Sequence, residues 1–129
     1  MKIDILNGGR IKNSFIKEGV NEYLKRLNTK GWQVTLKEKC SPAENCIFLS
    51  ERGKLLSEKS FFSIFRTGFS GKILNFYIGK PRGFEKGFLK GKRAYSLSPL
   101  TMTSELTNLV FIEQIYRFWT LQQGKEYVK

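Results

Sequence analysis

The sequence predicts an α/β fold with a mostly parallel central sheet and helices on both faces, in one domain spanning residues 1–129. Three observations predict it. Short runs rich in β-branched and aromatic residues alternate with segments whose apolar residues recur every three to four positions. The run Cys46-Ile47-Phe48-Leu49 is apolar throughout, as a strand buried on both faces should be. The chain is 40% hydrophobic and 14% aromatic, enough for a packed core despite its charge.

The elements follow in order. Residues 2–6 set Ile3 and Ile5 against charged neighbours and read as a strand, broken by Asn7-Gly8-Gly9. Residues 12–27 read as a helix with Phe15, Ile16, Val20, Tyr23, Leu24 and Leu27 on one face, capped by Asn13 or Ser14. Residues 32–36 alternate again and form a second strand, and 46–49 form the third. Residues 54–65 read as a helix whose core positions are Leu55, Phe61, Phe62 and Phe65, ended by glycines at 68 and 71. Residues 72–78 form a nearly continuous apolar strand, 94–97 a short one, and 105–122 the strongest helix. In that last helix Leu109, Phe111, Ile112, Ile115, Tyr116 and Trp119 form a wide stripe. Leu106 and Val110 share the opposite side with Glu113 and Arg117. Apolar residues on both sides predict the sheet against one and a second subunit against the other. For Glu113 and Arg117 the plain reading is a surface ion pair worth about 0.3–0.5 kcal/mol.

Composition narrows the function. Lys and Arg number 23 against 11 Asp and Glu, a formal charge of +12. An isoelectric point near 9.9 favours a polyanionic partner, nucleic acid first and an acidic membrane surface second. The cations are scattered, so the positive surface belongs to the folded body. Histidine is absent, which excludes Ser-His and Cys-His catalytic pairs and removes the commonest transition-metal ligand. Cys40 and Cys46 are too few for a zinc site, so no metal is expected and both read as reduced thiols. No apolar run approaches the roughly 20 residues of a membrane span, and residues 1–9 lack a signal-peptide core. A cytoplasmic protein away from membranes is the expectation.

Ligands of open α/β sheets gather at the carboxyl ends of strands, which points to residues 50–54, 79–84 and 98–103. The stretch Gly79-Lys80-Pro81-Arg82-Gly83 is neither a Walker loop nor a GxGxxG, so nucleotide-phosphate binding is not indicated, and a plain turn is its bland reading.

Ser96-Leu97-Ser98-Pro99-Leu100-Thr101, followed by Glu113-Gln114-Ile115-Tyr116-Arg117, resembles the C-terminal signature of the bacterial large-subunit rRNA pseudouridine methyltransferases of the SPOUT, or α/β-knot, class. Ile78-Gly79-Lys80-Pro81-Arg82-Gly83 is similar to that family's Ile-Gly-Gly-Pro-x-Gly loop, and Glu22-Tyr23-Leu24-Lys25-Arg26-Leu27 to its first helix. The resemblance covers nearly the whole chain. It implies a C-terminal deep trefoil knot and S-adenosyl-L-methionine as cofactor. The implied cofactor residues are Leu49, Ile78, Gly79, Lys80, Gly83, Ser98, Pro99, Leu100, Thr101, Met102 and Thr103. It further implies a homodimer packed through the last helix, and methyl transfer to ring nitrogen 3 of a pseudouridine in the large-subunit rRNA of assembled ribosomes. Glu113, Arg117 and Tyr127 are the implied catalytic residues, and Arg10, Lys12, Arg82 and Lys125 the RNA-binding ones.

The chemistry agrees with the composition. Methyl transfer from a sulfonium needs alignment and proton removal but no metal and no covalent enzyme intermediate. A carboxylate at Glu113 oriented by Arg117 suits the proton step. The chain departs from the family pattern at Lys80, Arg82, Ser104 and Asn108, and of the family's His-x-Tyr-His tail only Tyr127 remains. Two other readings stand beside the enzyme: a knot-fold protein that binds ribosomal RNA without methyl transfer, and a basic domain that docks on an acidic protein.

Overall fold

In the computed structural model, residues 1–67, 73–80 and 83–127 are described. The strands are β1 (Lys2–Asn7), β2 (Gln33–Lys37), β3 (Ile47–Leu55), β4 (Leu74–Ile78) and β5 (Ala94–Ser96). The helices are α1 (Ser14–Asn28), α2 (Glu58–Thr67) and α3 (Ser104–Gln122). The strands form one sheet in the order β2-β1-β4-β3-β5, and every pairing is parallel. The predicted parallel sheet and the order of elements are therefore as observed. The expected helix end at residues 68–71 and the strand start at 72 lie outside the described residues.

Strand periodicity sorts the side chains. Ile3 and Ile5 of β1, Phe76 and Ile78 of β4, and Ile47 and Leu49 of β3 belong to one core cluster. Leu6, Tyr77, Cys46 and Phe48 form a smaller cluster from the alternate positions. The first cluster takes the buried residues of all three helices: Val20 and Leu27 of α1, Phe61, Phe62 and Phe65 of α2, and Phe111, Ile112, Ile115, Phe118 and Trp119 of α3. Phe76 joins two of them to the sheet, stacked on Phe65 at 5.6 Å and tilted against Phe111 at 4.6 Å. α1 reaches α3 closely at Gly19, where a Cβ would stand 3.0 Å from Leu109 Cδ1.

The expectation of helices on both faces is thus corrected. All three lie on the Phe76 face, and the other is covered by Phe84, Phe88 and Leu89 from a turn-rich segment. Four glycines in residues 79–91 keep that segment from forming a regular helix. Tyr116 of the predicted stripe packs on Tyr23 of α1 and Phe118 on Phe62 of α2, while on the opposite side Leu106 is exposed and Val110, Glu113 and Arg117 are half-buried.

Two boundaries move. β3 runs on to Leu55 where a loop and a helix start were expected, and α2 begins only at Glu58, behind reciprocal hydrogen bonds between Ser57 and Ser60. Leu55 is consequently exposed rather than core. The cause is Gly53: a Cβ there would stand 2.5 Å from the Tyr95 nitrogen, so the bare backbone lets β5 close on β3. Leu49 and Lys54 both pair with Tyr95, and the register shifts across the residues between them. Asn13 caps α1, its Oδ1 accepting from the Phe15 and Ile16 amides, and Thr103 caps α3.

Candidate cofactor cleft and basic groove

The middle of β3 and the carboxyl end of β4 meet the start of α3 in a cleft of about 140 Å³. Leu49, Ile78, Met102 and the Phe84 ring supply apolar walls; Ser50, Glu51, Thr101, Ser104 and Thr107 supply oxygen atoms. The register shift in β3 places Ser50 and Glu51 here. A smaller adjoining space, about 40 Å³, shares Leu49, Ser50, Glu51, Met102 and Thr107 and adds Ser98 and Leu100. Nine of the expected cofactor positions therefore converge: Leu49, Ile78, Gly79, Lys80, Gly83, Ser98, Leu100, Thr101 and Met102. Pro99 and Thr103 line neither space, and Thr103 serves as the α3 cap.

Local bonds shape these loops. Gly83 has a φ of +75°, the left-handed region, and its amide donates to the Lys80 carbonyl at 2.7 Å. Gly79 lies under the Phe84 ring, where a Cβ would come within 3.1 Å of it. Ser96 Oγ donates to the Ser98 carbonyl at 2.7 Å, and Ser98 Oγ accepts from the Leu100 amide at 3.0 Å.

Glu113, Arg117 and Tyr127 come together, but not at this cleft. They cluster further along α3, where Glu113 Oε2 lies 4.0 Å from Arg117 Nε and the guanidinium sits 4.7 Å from the centroid of the Tyr127 ring. Burial, with Tyr23 and the Glu113 carboxylate facing its hydroxyl, pushes the Tyr127 pKa well up, so the phenol stays protonated. Lys125 is in the same region, its ammonium 5.3 Å from the Trp119 ring centroid.

Arg10 and Lys12 line a different concavity, a groove of about 810 Å³ that also takes Lys39 and Lys80. Arg82 lies outside the described residues. Cys40 is half-buried and Cys46 buried, both free, and burial pushes the Cys46 thiol pKa up. Among the described residues no helix is long and apolar enough to cross a membrane, and no three His, Cys, Asp or Glu side chains gather as metal ligands.

A family model described as "Predicted SPOUT methyltransferase" matches residues 30–127. The chain belongs to the SPOUT methyltransferase family. Similar proteins include the ribosomal RNA large subunit methyltransferase H of Coprothermobacter proteolyticus, 34% identical with both chains fully covered. Those of Prochlorococcus marinus and Enterococcus faecalis are each 32% identical, covering 98% of this chain and 94% of the relative in the first case and both chains fully in the second. Among solved structures, TrmJ from Z. mobilis aligns over 100% of this chain and 73% of its own, at a TM-score of 0.56 and 6% identity. A probable methylase family protein from Haemophilus influenzae aligns over 98% and 70%, at 0.57 and 12%. At such identities these two likenesses concern the fold alone.

Within this SPOUT chain the departures from the family pattern acquire positions. Lys80 is exposed at the mouth of the cleft, and Ser104 lines the cleft. Asn108 is buried and exchanges two hydrogen bonds with Asn7, at 3.0 and 2.7 Å, while its amide also donates to the Ser104 carbonyl at 2.9 Å. Sequence reasoning missed this pair, as well as Thr107 and Lys39. The two Asn are separated by 101 positions, and neither belongs to a local pattern that marks a partner.

Proposed function

We propose that this chain is an S-adenosyl-L-methionine-dependent rRNA methyltransferase acting on ring nitrogen 3 of a pseudouridine in large-subunit rRNA, in the cytoplasm on assembled ribosomes. The observation that carries the reading is the convergence, in a SPOUT family member, of residues 49–51, 78–80, 83, 98, 100–102, 104 and 107 on one cleft. The relatives' name, ribosomal RNA large subunit methyltransferase H, supports the substrate class. Support for a C-terminal trefoil knot comes from the path of the chain: β5 is at the sheet edge, yet Met102 and Thr107 return to line the cleft with Ile78 of β4.

The donor set fits the cofactor. Leu49, Ile78, Met102 and Phe84 offer apolar faces to an adenine, Glu51 offers a carboxylate to ribose hydroxyls, and Ser50 and Thr101 are at hand for polar atoms. The bare Gly79 lets the Phe84 ring close on the backbone at the cleft wall. When bound, S-adenosyl-L-methionine supplies an electrophilic methyl group on a sulfonium. The chain's part is to align a pyrimidine nitrogen with that methyl and to accept the ring proton. Glu113, held by Arg117 and facing the protonated Tyr127, is the base in this reading. Because that cluster lies away from the chain's own cleft, a homodimer through α3 is the arrangement in which it serves a cleft.

The test is methylation of large-subunit rRNA by the purified protein with methyl-labelled cofactor, followed by mapping of the labelled nucleotide. Label on a pseudouridine is expected, and label on another base overturns the specificity. Lys80 at the cleft mouth favours a second reading, an RNA-binding protein without methyl transfer. Calorimetry that detects no S-adenosyl-L-methionine binding below about millimolar selects it.

A further inference from the structure

The groove at the ends of β1 and β4 adjoins the cleft and shares Lys80 with it. Arg10, Lys12, Lys39 and Lys80 line it against a single carboxylate, Glu105. That carboxylate is already engaged, since its Oε1 accepts the Lys12 and Asn13 amides, each at 2.7 Å. Glu38 does the same for the Ile11 amide at 2.7 Å. Two acids therefore fasten the backbone of residues 11–13 and leave the cationic side chains to other partners. Among the described residues the ion pairs are Arg26–Glu22, Lys37–Asp4 and Arg117–Glu113, and none involves a groove cation.

The backbone holds these cations at some cost. Lys39 has a φ of +53°, fixed by its amide on the Gly9 carbonyl at 3.0 Å and the Cys40 amide on the Asn7 carbonyl at 2.8 Å. A lysine in that left-handed region is strained, and such strain gathers at functional sites. Gly8 clears space for Lys80: a Cβ there would stand 3.1 Å from Lys80 Cγ and 2.6 Å from the Tyr77 hydroxyl oxygen. Just beyond Asn13, Phe15 is 82% exposed at the start of α1.

We propose that this groove is the track for a single-stranded RNA segment flanking the nucleotide presented to the cleft, with phosphates on Arg10, Lys12, Lys39 and Lys80 and a base stacked on Phe15. The proposal rests on the rRNA methyltransferase reading above. Four cations without acid partners suit a line of phosphates. A volume of about 810 Å³ exceeds what one small anion needs. The exposed Phe15 ring, three residues along the chain from Lys12, suits a base, since every base has a face to stack.

Fluorescence anisotropy of a labelled oligouridylate across a salt series tests it, with polyglutamate as competitor. Arg10→Ala, Lys39→Asn and Lys80→Ala are each expected to weaken binding severalfold and to lower the slope of log affinity on log salt by about 0.7 per lost contact. Asn tolerates the left-handed backbone at position 39, so Lys39→Asn removes charge without unfolding the loop, which circular dichroism checks. Phe15→Ala is expected to weaken binding about tenfold with the slope unchanged. Slopes that stay at the wild-type value in the three charge variants overturn the track. Equal competition by polyglutamate also overturns it, in favour of an acidic protein. The parent reading is tested separately, by whether the wild-type protein labels rRNA at all.

Discussion

Asn7 and Asn108 show how much a single buried contact decides. Each amide donates to the other's oxygen at 3.0 Å or less, with both residues almost fully buried, and the pair ties the end of β1 to the start of α3. Removing one side chain strands the other's polar atoms, so Asn108→Ala is expected to cost about 1–3 kcal/mol in urea unfolding. The Asn7→Ala, Asn108→Ala double variant should cost less than the sum of the two single losses. Tyr127 carries a pH signature at the same scale. Its folded-state pKa lies above the unfolded value of about 10. The contribution of its protonated hydroxyl is therefore intact below that pH and is lost as the pH climbs above it. Wild-type Tm should fall more steeply than that of Tyr127→Phe between pH 9 and 11, and parallel falls would place the phenol in solvent.

At the scale of elements, β3 is the strand that builds the cleft. Its apolar half, Cys46 to Leu49, announces itself in the sequence, because a strand buried on both faces has no polar alternation. Its second half does not, because Ser50, Glu51, Arg52 and Gly53 carry the residue types of a loop. Only the approach of β5 over the side-chain-free Gly53 turns them into strand and turns Ser50 and Glu51 toward the cleft. Gly53→Val is therefore expected to separate β5 from β3, since the new Cβ would overlap Tyr95 and Ala94 backbone. A drop in Tm with loss of S-adenosyl-L-methionine affinity is the expected result. An unchanged affinity would mean that the shifted register does not shape the cleft. The α1 cap shows the contrary case: Asn13 acts within three residues of chain and is readable because its partners are local, whereas Thr103, the α3 cap, was expected in the cofactor loop.

At the scale of the whole molecule, the placement of the helices is the main correction to the sequence reading. A helix that is apolar on two sides asks for two partners, and the sequence does not say which. The chain supplies one, with α1 and α2 flanking the stripe of α3 over the sheet, and leaves Leu106 exposed on the other side. The apolar stripe of α3 is therefore satisfied without a second subunit. A further reason to expect a dimer is the separation of the Glu113, Arg117 and Tyr127 cluster from the cleft. Leu106 remains partly exposed on α3 to meet a partner. Sedimentation at micromolar concentration is expected to give a dimer. A monomer that still methylates rRNA would remove Glu113 from the reaction.

By itself the sequence determined the parallel α/β order, the α1 cap, the positive surface and the exclusion of histidine chemistry. These depend on periodicity, on local hydrogen bonds and on counting charges. The cleft loops were also legible, because a parallel sheet collects its ligand loops at one end. The tertiary structure decided what depends on contacts remote in the chain. It set the three helices on one face, paired Asn7 with Asn108, and extended β3 under β5. It also separated the Glu113 cluster from the cleft and brought Lys39 and Lys80 into one groove with Arg10 and Lys12. No local pattern encodes these, because each is settled by which surfaces meet when the whole chain packs.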